Sequence, residues 1–205
     1  GWMEHGKFLE ELGELCVKEE TYPSFLDWDE LRTVMETDMP AGRLERVKDV
    51  FVFCALTGLS YQGISTLCPS HLFRDDEGTL WICRTRAEGA EVGDSCTSRV
   101  PLLKPAMVLL EKYRGWNLMN PEGPCFPVPS VQKMNEYLKE VAARCRISKR
   151  LTTQMARNTF AATVTLASRI PKEHVREMLG YSSDYMLRHY MSVSYTHLRA
   201  HETSQ

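Results

Sequence analysis

Apolar residues recur at helical spacing along most of this chain, and short breaks of glycine, proline and capping residues separate the helical segments. Asp27 with Glu30 forms a capping-box pattern, Gly58 follows a long apolar run, Ser60 can cap the short segment after it, and Pro171 with Gly180 brackets a short amphipathic stretch. The pattern predicts helices over residues 2–20, 27–37, 43–56, 61–67, 105–114, 130–147, 152–166 and 171–180, and a last one from Ser182 or Ser183 to about Tyr190.

Strand patterns are confined to the middle of the chain. Residues Pro69–Phe73 and Thr79–Arg84 flank the turn sequence DDEG, and Arg99–Leu102 supplies a third candidate strand. The polar, glycine-bearing residues 86–98 lie between the second and third strands, where we expect an exposed hairpin tip. The predicted fold class is therefore mainly α with a small antiparallel β-sheet, an α+β fold.

Composition and charge indicate which kinds of molecule the chain can bind. The 205 residues are 43% hydrophobic, which suits one domain with a substantial core. The net charge of −2 is unevenly distributed: residues 1–50 hold 6 basic and 13 acidic side chains, whereas residues 101–205 hold 15 basic and 8 acidic ones. A basic second half indicates a partner that carries phosphate, such as nucleic acid.

Other features set the expected compartment and domain limits. The seven cysteines form no CxxC pair and lie mostly in apolar segments, so we expect buried thiols and neither disulfides nor a metal site. No apolar run has the length of a membrane span and the start lacks a secretory signal, which favours the cytoplasm.

The same patterns suggest the domain limits. We expect an acidic helix or linker at 1–22, a domain at 23–193, and a disordered or foreign tail at 194–205.

The stretch 151–192 combines helices, positive charge and a tyrosine. Its three predicted short helices bring several polar side chains towards a common site: Gln154, Arg157, Tyr181, His189 and Tyr190.

These residues resemble the catalytic domain of the tyrosine recombinases, the phage-integrase family. The matching segments are QMARNTF (154–160), MLGY (178–181) and LRHY (187–190), in the order and spacing of that family's last third. Upstream, FVFCALTGLSYQGISTL (51–67) is similar to its Thr-Gly-Leu-Arg box, and LWICRTRAEGAE (80–91) occupies the place of its β-hairpin. Recombinases of Bacteroidetes mobile elements are similar in also carrying Gly-Leu-Ser-Tyr in that box.

The resemblance implies DNA strand breakage and rejoining through a 3′-phosphotyrosyl intermediate, with no metal or cofactor. Tyr190 matches the nucleophile and Arg157 the second arginine, whose forked donors neutralise charge on the phosphate. Four other positions depart from the family pattern. Ser60 stands in place of the first arginine, Gln154 and Tyr181 replace histidines, and Glu88 falls where the hairpin lysine belongs.

Two functions remain open at this stage. One is a site-specific recombinase or integrase with a weakened active site, and the other is an inactive homologue that binds DNA or modulates an active recombinase. Double-stranded DNA is the expected partner of both, together with recombinase protomers in a synaptic tetramer. The residues expected to contact DNA are Arg84 and Arg86 on the hairpin and the cluster Lys139, Arg144, Arg146, Lys149 and Arg150.

Overall fold

The computed structural model describes residues 24–85, 97–181 and 187, which pack around one hydrophobic core running from Leu26 to Leu187. Its helices are α1 (Trp28–Glu36), α2 (Arg43–Thr57), α3 (Tyr61–Ser65), α4 (Lys104–Lys112), α5 (Arg114–Met119), α6 (Val131–Arg144), α7 (Thr153–Thr159) and α8 (Lys172–Leu179). A 3₁₀ turn, Pro69–His71, precedes the strands β1 (Leu72–Arg74), β2 (Leu80–Thr85) and β3 (Thr97–Pro101), and a π-helix, Phe160–Leu166, continues α7.

Helix α2 lies at the centre of the core. Every residue from Asp49 to Leu59 is buried, because α1, α4, α6 and α7 surround this helix on all sides. The buried carboxylate of Asp49 accepts hydrogen bonds from Lys112 Nζ (2.6 Å) and from the hydroxyl of Tyr113 (2.9 Å). Burial and the neighbouring Asp49 charge raise the pKa of Tyr113, so its hydroxyl keeps its proton and remains a donor.

The three strands form an antiparallel sheet in the order β1-β2-β3. Ile82 pairs with Leu72 on one side and with Val100 on the other, and the side chains of Ile82 and Val100 are buried in the core. The turn between β1 and β2 is held by Asp75, which accepts from the indole nitrogen of Trp81 at 2.7 Å. The prediction of a mainly helical fold with a small antiparallel sheet is confirmed.

Several helix ends follow the predicted local signals. Asp27 and Glu30 form the capping box of α1, and both Gly58 and Gly180 are left-handed residues that end α2 and α8. The cap of α6 is Ser130 by position, although its side chain makes no capping hydrogen bond.

Three sequence predictions need correction. Residues 69–71 form a 3₁₀ turn, so the first strand begins only at Leu72. Helix α5 lies between the predicted helices 105–114 and 130–147, where the pattern predicts no helix. The helix predicted over 152–166 becomes a π-helix after Thr159. That irregular segment anchors the start of the described chain, since Thr163 Oγ1 donates to the carbonyl of Leu26 and Thr159 Oγ1 accepts from its amide.

The predicted segments 2–20 and 194–205 and the hairpin tip, apart from its last two residues, lie outside the described residues. Of the last predicted helix, only Leu187 is described, as helical and fully buried. Within the ranges 24–85 and 97–181, no helix combines the length and the apolar character needed to cross a membrane.

Candidate active site

Three segments that are distant in the sequence meet at the side chain of Arg157. Helix α7 is capped by Thr152, whose hydroxyl accepts from the amide of Met155 at 3.0 Å, and it buries Met155 and Ala156 against the core. Arg157 projects from the next position of this short helix and is half-buried. Its guanidinium reaches the end of α2 and the end of α8.

Main-chain carbonyls at two helix ends hold the guanidinium. Nη1 donates to the carbonyl of Gly58 at 2.5 Å, and Nη2 donates to the carbonyl of Leu179 at 2.6 Å. The last carbonyls of a helix have no partner within the helix and carry the negative end of its dipole, so they favour a cation at this position. Arg157 therefore satisfies two orphan acceptors and joins α2, α7 and α8.

Tyr181 supports the guanidinium on a third side. The Arg157 Nε donates to the Tyr181 hydroxyl at 3.3 Å, and the guanidinium carbon lies 4.9 Å from the centre of the tyrosine ring. These contacts use three of the five N–H groups of arginine and leave one on each terminal nitrogen. Two N–H groups on neighbouring nitrogens of a guanidinium are the kind of donors that can bind two oxygens of one phosphate.

Glycine is required at position 58 for two reasons, the backbone conformation and the lack of space for a side chain. It adopts φ of 72°, and a Cβ at this position would lie 2.5 Å from Phe160 Cδ1 and 2.9 Å from Leu179 Cδ2. The close approach of the π-helix and of α8 to Gly58 is what allows both carbonyls to reach one guanidinium.

Cys54 lies on α2 one turn before Gly58 and is fully buried. Burial raises its pKa to about 12, while the positive charge of Arg157 acts in the opposite direction. Its thiol therefore stays protonated, and the described cluster places no anion beside the guanidinium.

Ser60 and Gln154 already make local hydrogen bonds. The hydroxyl of Ser60 accepts from the amide of Gly63 at 3.1 Å and caps α3, as the sequence predicted. Gln154 is exposed, and its Nε2 donates to the Asn158 side chain one turn further along α7 at 3.0 Å. The structure thus brings Arg157 and Tyr181 together, with Ser60 two residues beyond Gly58, and shows no contact from Gln154 to this cluster.

The two strands that lead to the hairpin tip are both attached near this cluster. On β3, Ser98 Oγ donates to the carbonyl of Met178 at 2.5 Å, two residues before the end of α8 at Gly180. On β2, Arg84 pairs with Ser98 across the sheet, and its guanidinium donates to the carbonyl of Gly63 and to Thr66 Oγ1. Burial lowers the pKa of Arg84. Arg86 and Glu88 lie outside the described residues, as do His189 and Tyr190.

Four residues of the predicted basic cluster are exposed: Lys139, Arg144, Arg146 and Arg150. Lys149 differs because its Nζ donates to Glu30 Oε2 at 2.5 Å and to the carbonyl of Phe25 at 3.0 Å. This lysine ties the loop after α6 to the start of α1, so its charge is already paired within the fold.

The sequence did not indicate the two carbonyls at Gly58 and Leu179 as functional groups. Side-chain motifs do not show main-chain acceptors, although a glycine directly after a helix was a usable signal at both places. Asn158 was also missed; its amide nitrogen donates to the carbonyl of Ser24 at 3.0 Å and its side-chain oxygen accepts from Gln154.

This fold is that of tyrosine recombinase catalytic domains. Solved structures that resemble the chain include the XerH site-specific recombinase bound to a palindromic difH substrate, with a TM-score of 0.72 and 17% identity over 91% of this chain and 55% of that one. The XerA recombinase gives a TM-score of 0.68 and 17% identity over 90% of this chain and 65% of that one. The catalytic domain of the bacteriophage HP1 integrase gives 0.58 and 19% over 86% and 92%.

The chain spans between about half and two thirds of the length of XerH and XerA, and most of the length of the isolated HP1 catalytic domain. No protein-family model matches the sequence, and a search of curated proteins gives no match. The similarity is therefore one of three-dimensional structure, and at 17–19% sequence identity it establishes the fold only.

Proposed function

We propose that the chain is the catalytic-domain part of a site-specific DNA recombinase or integrase that breaks and rejoins DNA through a 3′-phosphotyrosyl intermediate. One observation carries this proposal: the Thr-Gly-Leu-Ser box, the QMARNTF segment and the Leu-Gly-Tyr segment meet around the guanidinium of Arg157. Their convergence is what a phosphate site built from these motifs requires. The similar XerH structure was solved with a difH substrate, which is consistent with DNA as the partner of this fold.

The proposed chemistry needs a fixed cation and a nucleophile. The Tyr190 oxygen gives up its proton and bonds to the scissile phosphorus, while the bond from phosphorus to the 5′-oxygen of the neighbouring nucleotide breaks. The 5′-oxygen takes up a proton and leaves as a 5′-hydroxyl. The two remaining donors of Arg157 bind the non-bridging oxygens, on which negative charge develops. The phosphotyrosyl bond conserves the energy of the broken phosphodiester, so the same steps in reverse rejoin the DNA without ATP.

Glu88 and Gln154 weaken the proposed site. A carboxylate on the hairpin opposes charge on the phosphate, and neutral glutamine does not relay a proton. Loss of a single transition-state donor costs on the order of a hundredfold in rate in other enzymes, although such losses do not multiply freely within one site. We therefore expect slow adduct formation, and Ser60 in place of an arginine adds to that loss.

A second candidate function is an inactive homologue that binds DNA or modulates an active recombinase. It is favoured by the structural bonds at the altered positions: Ser60 caps α3, Gln154 bonds to Asn158, and Tyr181 supports Arg157. These side chains serve the fold and need no catalytic role.

A nicked duplex that traps the covalent intermediate separates the two candidates. An enzyme accumulates a protein band shifted by covalent DNA, and the Tyr190→Phe variant does not. DNA binding without any adduct supports the second candidate. Adduct formation that persists in Tyr190→Phe would show that another residue is the nucleophile, with Tyr181 and Tyr185 the next to replace.

Restoring the family residues at positions 88 and 154 tests whether the altered side chains slow adduct formation. Glu88→Lys combined with Gln154→His replaces an anion by a cation and restores an imidazole, so adduct formation is expected to rise above the parent level. Glu88→Gln with Gln154→His is the matched control, because it removes the anion without adding a proton donor. No gain in the Lys-His variant, with DNA binding retained, would contradict the assigned hairpin position or show that Ser60 already prevents the chemistry.

A further inference from the structure

A second group of reactive side chains lies beyond α3 and takes no part in the site at Arg157. Cys68 is half-buried, and its Sγ lies 3.2 Å from His71 Nδ1 and 3.2 Å from Ser70 Oγ. The 3₁₀ turn Pro69–His71 folds the imidazole back over the cysteine that precedes it. A thiol and an imidazole in contact are the elements of an activated cysteine.

The hydrogen bonds set the state of the imidazole. The amide of Cys68 donates to His71 Nδ1 at 3.1 Å, so this nitrogen acts as an acceptor and carries no proton. Burial, and then the charge of Arg84, lower the pKa of His71, which keeps the ring neutral. The unprotonated Nδ1 therefore lies 3.2 Å from the thiol sulfur, where it can share a hydrogen bond with the thiol.

A cation lies next to the same thiol. Arg84 Nη2 donates to Thr66 Oγ1 at 2.7 Å, two residues before Cys68, and its charge acts on His71. The Arg84 guanidinium and the Cys68 side chain also interact electrostatically, so the sulfur reacts close to a positive charge.

A second cysteine lies close to Cys68 in space. The amide of Cys125 donates to the carbonyl of Leu67 at 2.6 Å, and the covalent geometry on either side of that bond keeps the Cα atoms of Cys68 and Cys125 within about 7 Å of each other. That is the upper limit for a disulfide without backbone movement. Burial raises the pKa of Cys125 to about 11, and charge on Cys68 raises it further, so Cys125 is the less reactive thiol.

We propose that Cys68 and Cys125 form a reversible disulfide by exchange with a low-molecular-weight disulfide such as glutathione disulfide. The Cys68 sulfur attacks one sulfur of the small disulfide and releases one small thiol, leaving a mixed disulfide. Cys125 then loses its proton, attacks the Cys68 sulfur and releases the second small thiol. Two protein thiols are oxidised and one small disulfide is reduced to two thiols, so atoms and electrons balance.

The disulfide would couple the end of α3 to the loop that follows α5. Arg84 holds the same end of α3 through Gly63 and Thr66, and β2 carries Arg84 towards the hairpin. Oxidation would therefore fix the chain that follows α3 to that loop, next to the residues that Arg84 holds.

The test uses the full native chain with glutathione disulfide, followed by alkylation and peptide mass mapping at timed intervals. Cys68 is expected to react about tenfold faster than Cys83, the matched control that is also half-buried but has no imidazole contact among the described residues. A linked Cys68–Cys125 peptide should then accumulate, and dithiothreitol should remove it. Equal rates at the two cysteines, or a final state with only the mixed disulfide on Cys68, would overturn the proposal.

Variants assign the roles of the two thiols. Cys125→Ser is expected to stop at the mixed disulfide on Cys68, and Cys68→Ser to leave Cys125 unmodified. His71→Ala is expected to slow the first step about tenfold while the reaction of Cys83 is unchanged. Modification of Cys125 at an undiminished rate in Cys68→Ser would overturn the assigned order. The mapping of the native chain decides the proposal even where a variant fails to fold.

Discussion

Replacement of Gly58 by alanine tests whether the carbonyl arrangement around Arg157 depends on close packing. Two costs follow from the structure. A residue with a Cβ at φ of 72° pays about 1–2 kcal/mol for the left-handed conformation. The added methyl would also meet Phe160 Cδ1 at 2.5 Å and Leu179 Cδ2 at 2.9 Å, and such overpacking costs about 1–3 kcal/mol. The expected loss in free energy of unfolding is therefore about 2–5 kcal/mol.

Gly78 provides the matched control. Its φ of 83° is similarly left-handed, but a Cβ there would meet nothing within 4 Å. Gly78→Ala is expected to pay only the backbone cost of about 1–2 kcal/mol. Urea unfolding followed by tryptophan fluorescence measures both variants, with the free energy taken from midpoint and slope. If Gly58→Ala costs no more than Gly78→Ala, the packing argument is refuted.

The same variant also probes the hydrogen bond to Arg157. If the methyl pushes α8 and the π-helix away, the carbonyl of Gly58 no longer lies 2.5 Å from Arg157 Nη1. The stability losses of Gly58→Ala and Arg157→Met should then overlap, and the double variant should lose about 1 kcal/mol less than their sum. Full additivity would mean that the alanine leaves the guanidinium in place.

Three further predictions concern stability and DNA affinity. Asp49→Ala leaves the buried Tyr113 hydroxyl without its acceptor and Lys112 without one of its two carboxylates, so thermal unfolding should show a loss of roughly 2–3 kcal/mol. Binding of duplex DNA, measured by fluorescence anisotropy, should weaken with salt at a log–log slope of about −0.9 per phosphate contacted, and flat affinity would contradict a DNA-binding role. Arg146→Gly with Arg150→Ala should reduce both affinity and slope without a folding cost, because Arg146 occupies φ of 56°, which glycine adopts freely.

Local signals in the sequence were sufficient to predict many of the helix ends. The Asp27–Glu30 capping box, the serine cap at Ser60 and the glycines after α2 and α8 act through neighbouring residues, so they are visible without tertiary information. The contacts of the basic cluster could not be predicted from the sequence. Lys149 belongs to a run of cations in the sequence, yet its partner Glu30 is 119 residues away.

The elements that the sequence missed have no local pattern that would predict them. Helix α5 buries none of its residues, exposes Leu118 and Met119, and is held by Trp116 Nε1, which donates to the carbonyl of Pro124 at 3.0 Å. A six-residue helix without a buried face has no periodic pattern to detect. The π-helix likewise has no local signature, because its geometry accompanies the contacts of Thr163 with the start of the described chain.

The contacts that hold Arg157 in place do not depend on the side chain at position 60, where the chain departs from the family pattern. Its two shortest hydrogen bonds go to the main-chain carbonyls of Gly58 and Leu179, which are present whatever side chain stands at position 60. Tyr181 contributes a hydroxyl acceptor and a ring face, both compatible with a guanidinium. Under the proposed function, charge neutralisation by Arg157 would thus depend on backbone geometry, whereas proton transfer would depend on the side chains at the altered positions. On that proposal we expect catalytic rate to be lost at proton transfer while affinity for a DNA phosphate is kept, so DNA binding and adduct formation should respond separately to substitution.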